Sequence, residues 1–270
     1  MASRISILGC GWLGFPLAAA LVKAGTVVMG STTTEEKYSQ LQSAGIVPYV
    51  LRCVPDLRGE KIEEFFQSDI LIITVPFKRD LKDPREYKKQ IDNIIVRLPA
   101  SPVKFVLFTS STSVYPRQTA LALEDQPFEP DNLRSRVLLK VEQDLMSNRH
   151  FKSTIIRFAG LYGGTRNVGR FLAGQSDLTG GEEPVNLIHL DDCVQIIIEV
   201  VRQGAWGEIF NACADQHPTR RELYTAAAKP LGLRPPTFAG ESQESRKVVS
   251  NQKIRQRLNY RFQHPNPLEL

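Results

Sequence analysis

The sequence has no run of about 18 consecutive apolar residues, the length that a membrane-spanning helix needs. Its first residues, MASRISILGCGWLG, lack the apolar stretch and the small-residue cleavage site of a signal peptide. The four cysteines form no CxxC pair and have no metal-ligand spacing, which is typical of free thiols in a reducing compartment. We therefore expect a cytoplasmic protein without membrane contact and without a metal site.

Concentrated positive charge is also missing. The net charge is +5, and the densest basic stretch, residues 246–261, lacks the interleaved aromatic side chains of a single-strand binder. The apolar fraction of 42% is ordinary for a globular chain of 270 residues. We therefore expect no nucleic-acid partner.

Strand and helix patterns alternate in the first part of the chain. Apolar runs at 5–8, 70–75 and 103–108 are typical of strands buried on both faces, and the period of 87–98 is typical of a helix. The alternation predicts an α/β fold with a Rossmann-like, doubly wound parallel sheet. After residue 160 glycine and polar residues become frequent, which predicts a small carboxyl-terminal substrate lobe.

The predicted domain limits follow from that change in texture. The Rossmann domain comprises 1–160, with 185–212 returning to it, and the lobe comprises 161–184 and 213–270.

Two helix starts carry capping signals in the carboxyl-terminal half. Asp191 or Asp192 is predicted to be the N-cap of a helix over 193–202. Thr219, with Glu222 three residues later, predicts a capping box at the next helix.

A GxGxxG motif, formed by Gly9, Gly11 and Gly14, follows the first strand and opens a helix. The first glycine permits a tight turn, the second lets the backbone approach a pyrophosphate, and the third lets helix and strand pack closely. The helix start supplies N–H groups for the phosphates. This context predicts a dinucleotide site that includes Trp12 and Leu13. The alternative is a glycine-rich turn without a ligand.

The second strand ends without the acidic residue that binds ribose hydroxyls in NAD sites, because Gly30 and Ser31 stand there. Ser31, Thr32 and Thr33 can donate hydrogen bonds to a 2′-phosphate instead, and Lys37 can supply charge. The pattern therefore predicts NADP(H) as the cofactor, with NAD as the alternative. A helix cap without phosphate contact is the other interpretation of these hydroxyl groups. We also assign to the cofactor site four residues at later strand ends, namely Val75, Pro76, Thr109 and Ser110.

Four segments together resemble the short-chain dehydrogenase/reductase superfamily, in its extended and atypical branch of epimerase/dehydratase-like members. The segments are FVLFTSSTSVY (105–115), IIRFAGLYG (155–163) continued by TRN (165–167), VNLIHLDD (185–192) and GEIFN (207–211). The resemblance implies a Rossmann-like domain with a small substrate lobe, catalysis by Ser or Thr with Tyr and Lys, and a homodimer.

The resemblance assigns the catalytic Ser/Thr position to Ser111, four residues before Tyr115. A hydroxyl group that caps the strand end is the alternative interpretation of Ser111. The family's YxxxK pair is missing, because the helix places Arg134 with Leu138, or Arg136 with Lys140, at those positions. An arginine stays protonated and cannot act as a general base, but it can bind an anionic substrate group.

Further residues are candidates by the same resemblance. Tyr115 or Tyr162 could replace the lost tyrosine, although packing with a hydrogen-bonded hydroxyl group is the simpler interpretation of each. Tyr162 and Arg166 are assigned to substrate binding, and His189 is predicted to be structural.

Three functions are consistent with these motifs. The leading interpretation is an NADP(H)-dependent oxidoreductase of the atypical group that acts on a small substrate. A nucleotide-sugar epimerase or dehydratase is the first alternative, and it rests on fold resemblance. A non-catalytic NADP-binding sensor or scaffold is the second. The missing YxxxK pair favours the oxidoreductase and the sensor over the epimerase.

Overall fold

A computed structural model describes residues 4–54, 56–240 and 246–269. Among these, the strands are β1 (Arg4–Leu8), β2 (Val27–Thr32), β3 (Val47–Cys53), β4 (Leu57–Gly59), β5 (Ile70–Ile73), β6 (Phe105–Ser111), β7 (Leu121–Ala122), β8 (Lys152–Phe158), β9 (Gly160–Tyr162), β10 (Leu187–His189), β11 (Ile209–Ala212) and β12 (Val248–Val249). The α-helices are α1 (Gly14–Lys23), α2 (Tyr38–Ser43), α3 (Ile62–Phe65), α4 (Arg85–Ile95), α5 (Leu133–Met146), α6 (Leu190–Gln203), α7 (Arg220–Ala228) and α8 (Gln252–Arg257).

The large sheet has the strand order β11-β8-β6-β5-β1-β2-β3-β4. β1 lies between β2 and β5 and pairs parallel with both. β2 also pairs parallel with β3, and β5 with β6, whereas β4 is an antiparallel edge strand. The chain therefore winds outwards from β1 to one side and then to the other. This is the doubly wound topology, so the predicted fold class is confirmed.

The central strands are apolar because helices cover both faces of the sheet. Every residue of β5 is buried, and Ile5 and Ile7 of β1 are buried as well. The carboxyl ends of β1, β2 and β5 lie at one edge of the sheet. Since the winding direction reverses between β1 and β5, this edge is where a doubly wound fold forms its binding crevice.

The chain divides into two compact units. The first contains the described residues of 1–110, with 132–156 and 200–209, and the second contains 111–131, 157–199 and the described residues of 210–270. Segments 111–131, 157–160, 185–199 and 210–212 were predicted to be in the Rossmann domain but lie in the second unit. The short connection after β6 and the first part of α6 thus pack with the lobe residues.

The second unit has its own small core. β9 pairs parallel with β10, and β7 with β12. An apolar cluster includes buried residues of α7 and consists of Tyr162, Val168, Val185, Leu187, Leu223 and Ala227. The capping box of α7 is confirmed, because the Thr219 side chain accepts a hydrogen bond from the Glu222 N–H and the Glu222 carboxylate accepts one from the Thr219 N–H.

The predicted N-cap at Asp191 or Asp192 is wrong. α6 begins at Leu190, so both carboxylates lie in its first turn. Such positions favour acidic residues through the helix dipole, which explains why the sequence pattern resembles a cap.

Candidate dinucleotide-binding site

The glycine motif forms a tight turn between β1 and α1. Gly9 has a φ of +106°, a conformation that favours glycine. A Cβ atom on Gly14 would collide with the Gly9 carbonyl oxygen and would lie 2.8 Å from the Thr74 hydroxyl group. By contrast, no atom of the described residues lies within 4 Å of the position of a Gly11 Cβ. Two glycines are thus required by the fold, while Gly11 keeps open space above the backbone.

Thr74, directly after β5, holds this turn from the neighbouring strand. Its hydroxyl group lies 2.7 Å from the Gly9 carbonyl oxygen and 3.2 Å from that of Leu8, so it donates to them. The sequence alone does not identify this residue, because a threonine at a strand end carries no signal without knowledge of the strand order. Within the turn, Trp12 is half-buried and Leu13 is buried.

The end of β2 is bonded to the same turn. The Gly9 N–H donates to the Ser31 hydroxyl oxygen at 2.9 Å, and the Cys10 N–H donates to the Ser31 carbonyl oxygen at 2.7 Å. Ser31 and Thr32 are buried, and the Thr32 hydroxyl oxygen accepts from the Thr34 N–H at 3.4 Å. These two hydroxyl groups therefore organise the turn and the strand end.

After β2, the exposed polar side chains are those of Thr33 and Lys37, and not those of Ser31 and Thr32. An anion-binding role requires such exposure. Arg52 of β3, which no sequence pattern predicts, lies beside Thr33, because its Nε donates to the Thr33 carbonyl oxygen at 3.0 Å. The residue is 19 positions further along the chain and is brought there by the β2–β3 pairing.

The ends of β5 and β6 are also linked. The Thr109 hydroxyl group donates to the Ile73 carbonyl oxygen at 3.1 Å. The Ser110 hydroxyl group donates to the carboxylate of Glu142 in α5 at 2.5 Å, and both residues are buried. These contacts fix the strand ends next to the candidate site.

Arg134, at the position of the missing tyrosine in one register, is held by the segment after β5. Its guanidinium group lies 3.7 Å from the centroid of the Phe77 ring and donates to the Phe77 carbonyl oxygen. Phe77 stacks on Tyr87, whose hydroxyl group donates to the Val75 carbonyl oxygen at 2.9 Å. Burial lowers the pKa of the Arg134 guanidinium group. Even so, an arginine does not become a base near neutral pH.

Three nearby residues that the sequence singled out take no part in the contact between Arg134 and Phe77. Arg136 is exposed on α5, and Pro76 is exposed after β5. Lys140, the lysine of the second register, forms an ion pair with Asp144 at 2.8 Å.

In the second unit, Ser111 caps a short turn. Its hydroxyl oxygen accepts from the Ser113 N–H at 3.1 Å, which is the capping arrangement considered as its alternative role. The Tyr115 hydroxyl group is buried, donates to the Asn211 amide oxygen at 2.8 Å and accepts from Arg157 at 2.7 Å. Burial raises the pKa of the Tyr115 phenol, although the adjacent Arg157 opposes the rise.

Tyr162 is equally buried, but its hydroxyl group has no hydrogen-bond partner among the described residues. Burial raises the pKa of this phenol as well, and the nearby Asp192 adds to the rise. Arg166 is exposed, and its backbone exchanges two hydrogen bonds with Gly163, both at 3.0 Å. Neither tyrosine is therefore set up as a proton acceptor.

No protein-family model matches this chain. Protein YeeZ of Escherichia coli K12 is 34% identical over 268 residues, which cover 98% of this chain and 97% of that protein. The chain belongs to the family of Protein YeeZ.

Solved structures share the fold of this YeeZ-family chain. A conserved protein of unknown function from Silicibacter pomeroyi has a TM-score of 0.78 at 22% identity, covering 98% of this chain and 95% of its own. A short-chain dehydrogenase/reductase superfamily protein from Agrobacterium tumefaciens with bound NAD has 0.75 at 17%, covering 96% and 92%. UDP-glucuronic acid 4-epimerase from Bacillus cereus with NAD has 0.80 at 17%, covering 98% and 96%. The chain therefore shares the fold of proteins of the short-chain dehydrogenase/reductase and epimerase/dehydratase kind, as the predicted resemblance implies.

A buried carboxylate organises the end of this YeeZ-family chain. Asp192 accepts hydrogen bonds from the Tyr260 hydroxyl group at 2.7 Å, the Gln263 N–H at 2.7 Å and the His264 N–H at 3.0 Å. These bonds hold His264 against His189 in the same unit.

His189, Asp191 and His264 form a cluster that contains metal-ligand side chains. The Asp191 carboxylate lies 3.2 Å from His189 Nδ1 and 3.1 Å from His264 Nε2. The two imidazole centroids are 3.7 Å apart. Imidazoles sharing a tetrahedral zinc ion have centroids about 5 Å apart, given Zn–N bonds of about 2.0–2.1 Å. The two imidazole rings are therefore packed against each other beside the Asp191 carboxylate. Burial lowers the pKa of His189, and the nearby His264 lowers it further.

The length and polarity of the helices decide whether they could cross a membrane. Among the residues that the structure describes, every helix is too short or too polar to cross a bilayer.

Proposed function

We propose that this protein is an NADP(H)-dependent oxidoreductase of the atypical short-chain dehydrogenase/reductase group and that it acts on a small substrate. The open space above Gly11 carries the proposal. Gly9, Gly14 and Thr74 hold the turn, and Gly11, the one glycine of the motif whose Cβ would meet no described atom, would face the pyrophosphate of a bound dinucleotide. Structural neighbours with bound NAD support a nicotinamide dinucleotide as the ligand.

The preference for NADP(H) over NAD(H) is a separate part of the proposal. Ser31 replaces the acidic residue that would repel a 2′-phosphate, and Thr33 and Lys37 are exposed beyond it. Titration calorimetry with NADP⁺ and NAD⁺ on the intact protein tests this part. We expect NADP⁺ to bind about ten- to hundred-fold more tightly, as charge-assisted hydrogen bonds to one phosphate allow. Equal affinities would refute the preference, and no binding of either would refute the proposed function.

The missing tyrosine supports the proposed reaction type over an epimerase. Arg134 can bind an anionic group of the substrate but cannot take its proton, so the nicotinamide ring would carry the redox chemistry. In this proposal the Ser111 hydroxyl group hydrogen-bonds the substrate, and Arg136 and Arg166 are further candidates for its recognition. Replacement of Arg134 by alanine should raise KM more than it lowers kcat.

A nucleotide-sugar epimerase is the second candidate, because UDP-glucuronic acid 4-epimerase is among the structural neighbours. An epimerase recycles its cofactor within each turnover, whereas an oxidoreductase consumes NADPH in proportion to product. Assays with sugar nucleotides and with carbonyl compounds, each following NADPH, separate the two. We expect no epimerisation. A protein that binds NADPH but does not oxidise it with any of these compounds would instead be the sensor or scaffold.

A further inference from the structure

Arg52 extends from β3 to the segment that follows β2. β2 and β3 are parallel, and Thr32 pairs with Val50, so Arg52 lies at the carboxyl end of the sheet on the side of the glycine turn. Its Nε donates to the Thr33 carbonyl oxygen at 3.0 Å. The backbone of the segment therefore fixes the direction of an arginine that is distant in sequence.

The rest of this guanidinium group is available. Arg52 is exposed, and the Nε contact is its one hydrogen bond within the described residues, where it also forms no ion pair. The exposed Glu35 and Glu36 of the same segment form no ion pair with it there. Four of its five N–H groups thus remain free to bind a ligand.

The free groups suit a phosphate better than a hydroxyl group. A guanidinium fork matches the oxygens of a phosphate monoester in geometry and charge, whereas ribose hydroxyl groups are bound by a carboxylate. The carboxylate is absent, since Ser31 is buried at that place and its oxygen accepts from Gly9. The exposed Thr33 and Lys37 can add a hydroxyl group and a second positive charge.

We propose that Arg52 binds the 2′-phosphate of NADP(H) and is the residue that sets the preference for NADP(H). This inference rests on the proposed function, because it requires a dinucleotide on the glycine turn. It assigns the main charge to a residue on β3 and leaves Lys37 a secondary contribution.

Arg52→Gln is the sharpest test, since glutamine keeps an N–H donor for Thr33 but removes the charge. Calorimetric titrations with NADP⁺, NAD⁺ and adenosine 2′,5′-bisphosphate compare it with the native protein. Arg149→Gln is the matched control, because Arg149 is an exposed arginine in the connection between α5 and β8. Thermal unfolding of each variant confirms that the fold is kept.

We expect Arg52→Gln to weaken NADP⁺ and the bisphosphate about ten- to hundred-fold, as loss of charge-assisted bonds predicts, and to change NAD⁺ less than two-fold. Arg149→Gln should leave all three affinities unchanged. Equal losses for NADP⁺ and NAD⁺ would show that Arg52 only shapes the segment, and unchanged affinities would show that it contacts no phosphate. Either result overturns the inference while leaving the proposed function intact. Failure of the native protein to bind any of the three ligands overturns both.

Discussion

The glycine turn and the cluster around Tyr115 are both dense hydrogen-bond networks, yet they differ in what they leave open. At the turn, Ser31 and Thr74 bond to the backbone of Gly9, and the space above Gly11 stays empty of described atoms. Around Tyr115, the hydroxyl group is enclosed and both its donor and acceptor functions are used. A polar network can thus prepare a surface for a ligand or close a core, and only the first is expected to bind.

The same contrast separates residues that look alike in the sequence. Tyr115 and Tyr162 are both buried tyrosines in segments that resemble the superfamily, but among the described residues only Tyr115 has hydrogen-bond partners for its hydroxyl group. Gly11 and Gly14 belong to one motif, but a side chain is sterically excluded only at Gly14. Substitutions within each pair therefore test whether a position serves binding or folding.

The largest effect is expected for Gly11→Val. A valine side chain enters the open space, so cofactor affinity should fall by more than about 100-fold, or 2.7 kcal/mol or so, while the fold is kept. Gly14→Ala is the counterpart, because its Cβ collides with the Gly9 carbonyl oxygen. It should destabilise the protein by about 1–3 kcal/mol, as overpacking typically does. Circular dichroism melts and cofactor titrations on the same samples separate the two. Normal binding by a folded Gly11→Val protein would contradict the assignment of the turn.

The tyrosine pair should show an intermediate effect on stability. Tyr115→Phe removes one buried hydrogen bond from Arg157 and one from Asn211 and should cost about 1–3 kcal/mol in the free energy of unfolding. Tyr162→Phe removes a hydroxyl group that lacks a partner among the described residues, so it should be neutral or slightly stabilising.

Urea unfolding measures both tyrosine variants, and turnover with any substrate found above gives a second reading. We expect kcat to be kept in both. A large loss of kcat in one of them, without loss of stability, would mean that its phenol has taken the role of the missing tyrosine.

The smallest effect is expected for Thr74→Val, which deletes the hydroxyl group that holds the Gly9 carbonyl oxygen. One lost hydrogen bond should cost about 0.5–1.5 kcal/mol. Cofactor affinity should also fall a few-fold, since the turn is then less rigid. Thr154→Val is the matched control, because its hydroxyl group donates to the Ala205 carbonyl oxygen and not to the turn. Equal losses of affinity in both variants would argue against a specific role of Thr74.

Periodic patterns and motif spacing in the sequence were sufficient to predict much of the fold of this protein. Periodicity and the GxGxxG spacing predicted the doubly wound sheet and the turn at its first strand, because strand burial and backbone sterics depend on neighbours in sequence. The capping box of α7 is local in the same way, and it was predicted correctly from Thr219 and Glu222.

Side-chain contacts between neighbouring strands depend on the order of the strands in the sheet, so only the tertiary structure could show them. Thr74 reaches Gly9 and Arg52 reaches Thr33 because β5 and β3 flank the strands that precede the turn and the segment. Asp192 appeared as a helix cap, yet it accepts hydrogen bonds from residues about 70 positions further on, such as His264 at |i−j| = 72. Local propensity cannot predict such contacts, because two residues that bond across the fold stand at no characteristic spacing in the sequence.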